Sequence, residues 1–188
     1  HPAMRALLLA CGTPLAAPSA NASGSVSPTT AAHVQASLEG RVALIIDGGA
    51  CDRGIESTIL AALPHELAML RAGPLTREMI EAETGLTIAD DAAGTVRAPG
   101  ALLRHYAPGK PVLLDCSEPP ADAFTIGFGS QGCDYQLSAT GDLVEAAAHL
   151  FDALHAGAAS AHPRIAVAPI PDSGLGVAIN DRLRRSAA

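Results

Sequence analysis

From residue 111 to residue 185 the chain alternates short apolar runs with longer amphipathic ones, and this rhythm constrains its fold more than any other feature. Residues 112–116, 123–128 and 164–168 read as strands. Residues 142–155 carry helical periodicity, with Leu143, Ala147, Leu150, Phe151 and Leu154 on one face. Residues 174–185 do the same through Leu175, Ala178, Ile179 and Leu183. Strands that alternate with helices predict a small parallel α/β domain.

The first half is organised differently. Residues 3–11 read as a helix ended by Gly12, and residues 15–17 as a strand entering a loop rich in small hydroxyls, residues 18–29. Ser27-Pro28-Thr29 predicts an N-cap and a proline at the first position of a helix over 28–38, stopped by Gly40. Residues 42–46, Val-Ala-Leu-Ile-Ile, form a continuous β-rich apolar run and predict a buried strand ended by Asp47-Gly48-Gly49. Two further strands are expected at 57–61 and 67–71, then a helix capped by Thr76 and stopped by Gly85. Periodicity is lost over 87–109. The expected organisation is therefore an α/β domain over 1–86, a linker or lid over 87–109, and a Rossmann-like parallel α/β domain over 110–188.

Charge and composition narrow the function classes. The net charge is −7 and both halves are acidic, so neither has the broad basic face of a dedicated nucleic-acid binder. Aromatic residues make up 3% and tryptophan is absent, which disfavours stacking on many bases. Arg182, Arg184 and Arg185 form the one basic cluster and read as favourable charge at a helix C-terminus. Cys11, Cys51, Cys116 and Cys133 are scattered with no C-x-x-C, so neither a zinc site nor a disulfide framework is expected, and a reducing cytosol fits. His149 and His155 lie six apart on a helix and do not share a face for a metal. No apolar run reaches the ~20 residues of a membrane span.

Several positions carry chemistry under more than one reading. Ser19 and Asn21 face the same side of an extended segment, where they bond either a ligand or only their own turn. Ser27 caps its helix, contacts phosphate through that helix start, or does both. Glu56-Ser57-Thr58 sets a carboxylate beside two hydroxyls, which suits acid–base chemistry or a polar strand start; the second is preferred, and Glu56 is not taken as a base. Arg71 ends an apolar strand as a solvated terminus or as a phosphate or carboxylate ligand. Tyr106 contacts a ligand or anchors the linker by packing. Gly127 to Gly132 spells G-x-G-x-x-G, but no convincing helix follows, so a glycine-rich turn is expected rather than a dinucleotide site.

Five of these elements occur in an ordered series: S-A-N and S-P-T, then Gly54 to Ile59, then Leu70-Arg71-Ala72-Gly73-Pro74, then Ala98-Pro99-Gly100, then His105-Tyr106-Ala107-Pro108. The series resembles the Sua5/YrdC family of threonylcarbamoyl-AMP synthases. The tail from Gly174 to Leu183 resembles the end of the extra C-terminal domain of the longer, Sua5 type. The resemblance implies that Ser19, Asn21, Ser27, Arg71 and Tyr106 bind ATP and that Ala17 and Ser57 bind threonine. It further implies ATP as a substrate carrying Mg2+, with no tightly bound cofactor. L-threonine and bicarbonate are the other implied substrates, and the product passes to the threonylcarbamoyl transferase machinery acting on tRNA. Direct tRNA binding is expected to be weak or absent. A non-catalytic nucleotide- or RNA-binding relative is the alternative. The family's Lys-x-Arg and Arg-x-Pro elements have no counterpart: the chain opens at His1-Pro2 and holds one lysine, Lys110. The resemblance thus implies a catalytic domain lacking its front half, inactive by itself.

Overall fold

The structure, a computed structural model, describes residues 1–62, 66–90, 105–129 and 132–188. Helix α1 (Pro2–Cys11) forms as expected. His1 Nδ1 accepts the Ala3 amide at 3.2 Å, and Gly12, at φ 64°, ends the helix by donating to the Leu8 carbonyl. None of its residues is buried. Helix α2 (Ala31–Leu38) starts three residues later than expected. Its cap is Thr30, whose Oγ1 accepts the His33 amide at 3.3 Å, and not Ser27. Thr30 has the extended backbone that a cap needs, whereas the Ser27 hydroxyl is drawn to Glu56.

Two expected strands are absent. Residues 15–17 and 42–46 make no ladder among the described residues, and Val42, Leu44 and Ile46 are 43%, 76% and 57% exposed. High β-propensity describes how a residue fits a pleated, half-buried surface, and without a partner strand it fixes nothing. The run that reads as most buried in the sequence therefore lies on the surface.

Among the described residues the first sheet has three strands. β1 (Ile59–Ala62) pairs antiparallel with β2 (Leu67–Arg71), Ile59 opposite Arg71. Helix α3 (Arg77–Thr84), capped by Thr76 and closed by Gly85, then crosses back to β3 (Ile88–Asp90), which runs parallel to β2. β3 thus occupies the start of the stretch expected as linker. Ala98, Pro99 and Gly100 lie outside the described residues.

The second sheet is wholly parallel, in the order β4-β7-β5-β6: β4 (Val112–Leu113), β5 (Ala123–Gly127), β6 (Tyr135–Gln136) and β7 (Arg164–Val167). Helix α4 (Leu143–Ala159) leads from β6 to β7, and α5 (Leu175–Ser186) closes the chain. Asp142 caps α4 through the Val144 and Glu145 amides at 2.7 and 2.9 Å. Lys110 serves the other end, with Nζ 2.9 Å from the Gly157 carbonyl and 2.6 Å from that of Ser160. Among the described residues the element that follows β5 is the short strand β6 and not a helix, so the strand–turn–helix order of a dinucleotide site is absent there.

The two halves share one core. Val26, Ile55 and Tyr106 belong to the same buried cluster as Phe151, Leu150 and Leu154 of α4 and Ile179 and Leu183 of α5. Gly54 shows how close the halves come. Its φ is 68°, and a Cβ there would sit 2.2 Å from the Ala147 carbonyl oxygen. Only a residue without a side chain accepts both conditions.

Candidate functional site

At the seam between the halves, four of the expected site residues gather around Glu56. This side chain leaves the loop before β1. Its Oε1 accepts the Ser27 hydroxyl at 2.7 Å, and its Oε2 faces Arg182 Nε of α5 at 3.2 Å. Burial pushes the Glu56 carboxyl up, but the Ser27 hydrogen bond and the Arg182 charge outweigh it and hold the group below its ordinary value. The group is therefore an anion with its oxygens engaged, which suits organisation of neighbours better than proton abstraction.

Ser57, the next residue, is held by Arg71 at the end of β2. Arg71 Nε and Nη2 donate to the Ser57 carbonyl at 3.0 and 2.9 Å, and Nη2 lies 3.3 Å from its Oγ. The positions expected for threonine and for ATP are thus neighbours, linked by a two-pronged contact. Burial, and then the Arg182 charge, lower the Arg71 pKa.

Tyr106 is 1% exposed and adopts φ 66°. Its ring stacks on Phe151 at 5.1 Å and meets His105 edge-on at 4.2 Å. Burial, and then Glu56, push the phenol pKa up. In this arrangement Tyr106 packs as an anchor. The next residue ties the end of the linker to the hydroxyl-rich loop: the Ala107 amide donates to the Gly24 carbonyl at 2.9 Å, and Ser25 and Ala107 form an isolated parallel bridge.

Within that loop, Asn21 Nδ2 reaches the carbonyls of Ser25 and Val26 at 3.0 and 3.4 Å, the local-turn arrangement. Ala17 and Ser19 are exposed. The structure therefore assembles Ser27, Ser57, Arg71 and Tyr106 at the Glu56 junction, while Ala17, Ser19 and Asn21 belong to the outer loop.

Two members of the junction escape a reading of the sequence. Glu56 looks like a polar strand start, yet it is the hub. Arg182 looks like a cation at a helix end, yet it is 0% exposed. The signal for Arg182 is its helical phase, three residues after Ile179 and four after Ala178, within the apolar stripe of α5. An arginine in that stripe must find a buried partner.

A second contact crosses the seam beside Ser27. The rings of His33 (α2) and His155 (α4) stack at 3.8 Å, tilted by 22°. His155 Nε2 lies 3.1 Å from the Ser27 carbonyl, and His33 Nε2 is 3.4 Å from Asp152 Oδ1. Asp152 also takes the Tyr135 hydroxyl. Burial lowers both histidine pKa values, more strongly than Asp152 raises them, and His33 lowers that of His155 further. His149 sits apart, 3.0 Å from the Leu137 carbonyl. Among the described residues no group of three His, Cys, Asp or Glu side chains is placed to hold a metal ion. No helix among them is long and apolar enough to cross a membrane.

Comparison with known proteins gives this geometry a lineage. Residues 75–188 match the family described as threonylcarbamoyl-AMP synthase, C-terminal domain. The chain belongs to the threonylcarbamoyl-AMP synthase family. Residues 1–73 match a second family, that of Sua5, YciO and YrdC, described as Telomere recombination. Threonylcarbamoyl-AMP synthase of Bacillus subtilis is 35% identical over 210 residues, covering 100% of this chain and 61% of that protein. The Pyrococcus abyssi enzyme is 34% identical, covering 93% of this chain and 58% of its own length. The crystal structure of P. abyssi Sua5 complexed with L-threonine superposes with a TM-score of 0.83 at 31% identity, over 100% of this chain and 62% of that one. The chain thus spans about three fifths of the length of these threonylcarbamoyl-AMP synthases.

Proposed function

We propose that the protein makes L-threonylcarbamoyl-AMP from L-threonine, bicarbonate and ATP, with release of pyrophosphate. The product serves formation of N6-threonylcarbamoyladenosine at position 37 of tRNAs that read ANN codons. One observation carries this reading: Ser57 and Arg71, the expected threonine and ATP positions, touch, and both adjoin the Ser27–Glu56 pair. The solved P. abyssi relative, with L-threonine bound, supports threonine as substrate.

Chemically, the threonine amine adds to bicarbonate with loss of water. A carbamate oxygen then displaces pyrophosphate from the α-phosphorus of ATP. The carbamate is labile, so a site that limits water access protects it. Ser57, through its hydroxyl or carbonyl, and the backbone at Ala17 would orient threonine. Arg71 would face the nucleotide phosphates, and Ser19 and Asn21 would line the loop side. Ser27 and Tyr106 are covered in this structure. They would meet the nucleotide through a linker end that opens at the Ala107–Gly24 hydrogen bond to admit it and closes again over it, which makes the linker a lid. Mg2+ would enter as the counter-ion of ATP. The carboxylates at the junction, Glu56 and Asp181, are both committed to arginine and fit poorly as its ligands.

The test is pyrophosphate release by the protein expressed from its complete gene. Release that requires threonine, bicarbonate and ATP together is the expected result. Tight ATP binding without release would favour the non-catalytic nucleotide-binding reading instead. In the same protein, ligand is expected to slow amide exchange across residues 98–108.

A further inference from the structure

The most deeply buried charge among the described residues is on the last helix, and it reaches across the seam. Arg182 Nε meets Glu56 Oε2 at 3.2 Å. Its Nη1 donates to the Ala72 carbonyl at 2.6 Å and to Asp181 Oδ2 at 3.2 Å. Its guanidinium carbon stands 5.9 Å from the centroid of the Tyr106 ring. Its Nη2 is buried with no hydrogen-bond partner, so the side chain is not there to satisfy all its own donors.

The neighbours of these contacts matter more than the contacts themselves. Glu56 holds the Ser27 hydroxyl and directly precedes Ser57. Ala72 directly follows Arg71. Tyr106 directly precedes the amide that ties the linker to the Gly24 loop. One rigid, planar fork therefore touches the supports of every candidate substrate residue at the junction. It does so from a helix that carries none of them.

We propose that Arg182 is a positioning residue: the C-terminal domain inserts it to fix Glu56, the 71–72 strand end and Tyr106 in one register, and so sets the geometry of the nucleotide site. This rests on the function proposed above. A lysine at this position would keep the charge but could not serve Glu56, the Ala72 carbonyl and the Tyr106 face at once.

The test uses the protein expressed from its complete gene, with Arg182→Lys compared with Ile179→Val. Ile179 is 0% exposed in the same helix, and its variant loosens packing without touching Glu56. Two quantities are read at matched loss of Tm: the KM for ATP against kcat, and hydrogen exchange at the Ala107 amide without ligand. In Arg182→Lys, a rise of about tenfold or more in ATP KM, with exchange at Ala107 quickened, is expected, since a charge-assisted contact has lost its fork. Ile179→Val should show neither. Equal effects in the two variants, or no effect in Arg182→Lys, would overturn the proposal. Quickened exchange with unchanged ATP KM would overturn it too, leaving a structural clamp only. If the unaltered protein makes no adenylate, the proposed function fails; exchange at Ala107 then still decides whether Arg182 sets the junction.

Discussion

Single side chains here do unequal work, and two sets of substitutions separate them. Arg71→Ala removes a cation that also holds Ser57, so it is expected to weaken ATP use by about 1.5–3 kcal/mol, the range for a hydrogen bond to a charged group. Arg5→Ala, on exposed α1, should leave ATP use unchanged, and titration of both variants with ATP checks this. Arg77 is a poor control, because its guanidinium bonds the Ile88 carbonyl and joins α3 to β3. The stacked histidines give a pH dependence. Burial holds both pKa values below the ordinary histidine value, so the unfolded chain binds the extra protons first. Their contribution is complete above the unfolded value of about 6.5 and is lost as pH falls through the lower folded values. Thermal melts should therefore show Tm falling between pH 7.5 and 5.5, with a shallower fall in His33→Gln/His155→Gln; equal slopes would remove the pair from the account. Glu56 acts in a lower window. Its pKa is depressed in the folded state, so its contribution holds above the ordinary carboxylate range and disappears as pH drops through the folded value.

Elements were legible where their own residues decide them. Thr76 and Gly85 bracket α3, Asp142 opens α4, and the apolar stripes of α4 and α5 point inward as the periodicity says. Legibility failed where a partner decides. Residues 42–46 have strand chemistry but no ladder, and Ser27 has cap chemistry but a better acceptor in Glu56, 29 residues away. Of the candidate site, the ordered motifs named Ser27, Ser57, Arg71 and Tyr106. The long-range pairing that joins them through Glu56 and Arg182, 126 residues apart, has no local signature. The bare 42–46 run has a measurable effect of its own. Leu44 and Ile46 lie beyond half exposure, and apolar strips of that kind promote association. Leu44→Asp with Ile46→Lys should reduce self-association of the 188-residue chain in sedimentation velocity while leaving its Tm within about 2 °C, as expected for surface changes. A fall in Tm instead would mean that the run is packed.

For the whole molecule, the placement of the cations bears on the activity proposed above. The one lysine of the chain is committed to the end of α4, where it meets two carbonyl oxygens, and so is not available to a nucleotide. Nor does the chain hold a counterpart of the family's Lys-x-Arg and Arg-x-Pro elements, whose charged contacts are hard to replace, so the 188-residue chain tested alone is expected to release no pyrophosphate from ATP with threonine and bicarbonate. Release above background by a chain of verified mass would refute this. The contact of Gly54 with α4 bears on how the two halves can move. Main chain meets main chain there, with no layer of side chains between them to slide on. One added methyl would act as a shim, since the nearest atoms in its way belong to backbone. Gly54→Ala, strained by its φ of 68° as well, is expected to cost about 2–4 kcal/mol of stability. Whatever remains folded should show a longer Glu56–Arg182 separation. Residue 54 in effect gauges the gap between the domains: its missing side chain sets the distance at which an arginine from the last helix can reach a carboxylate from the first sheet's approach loop.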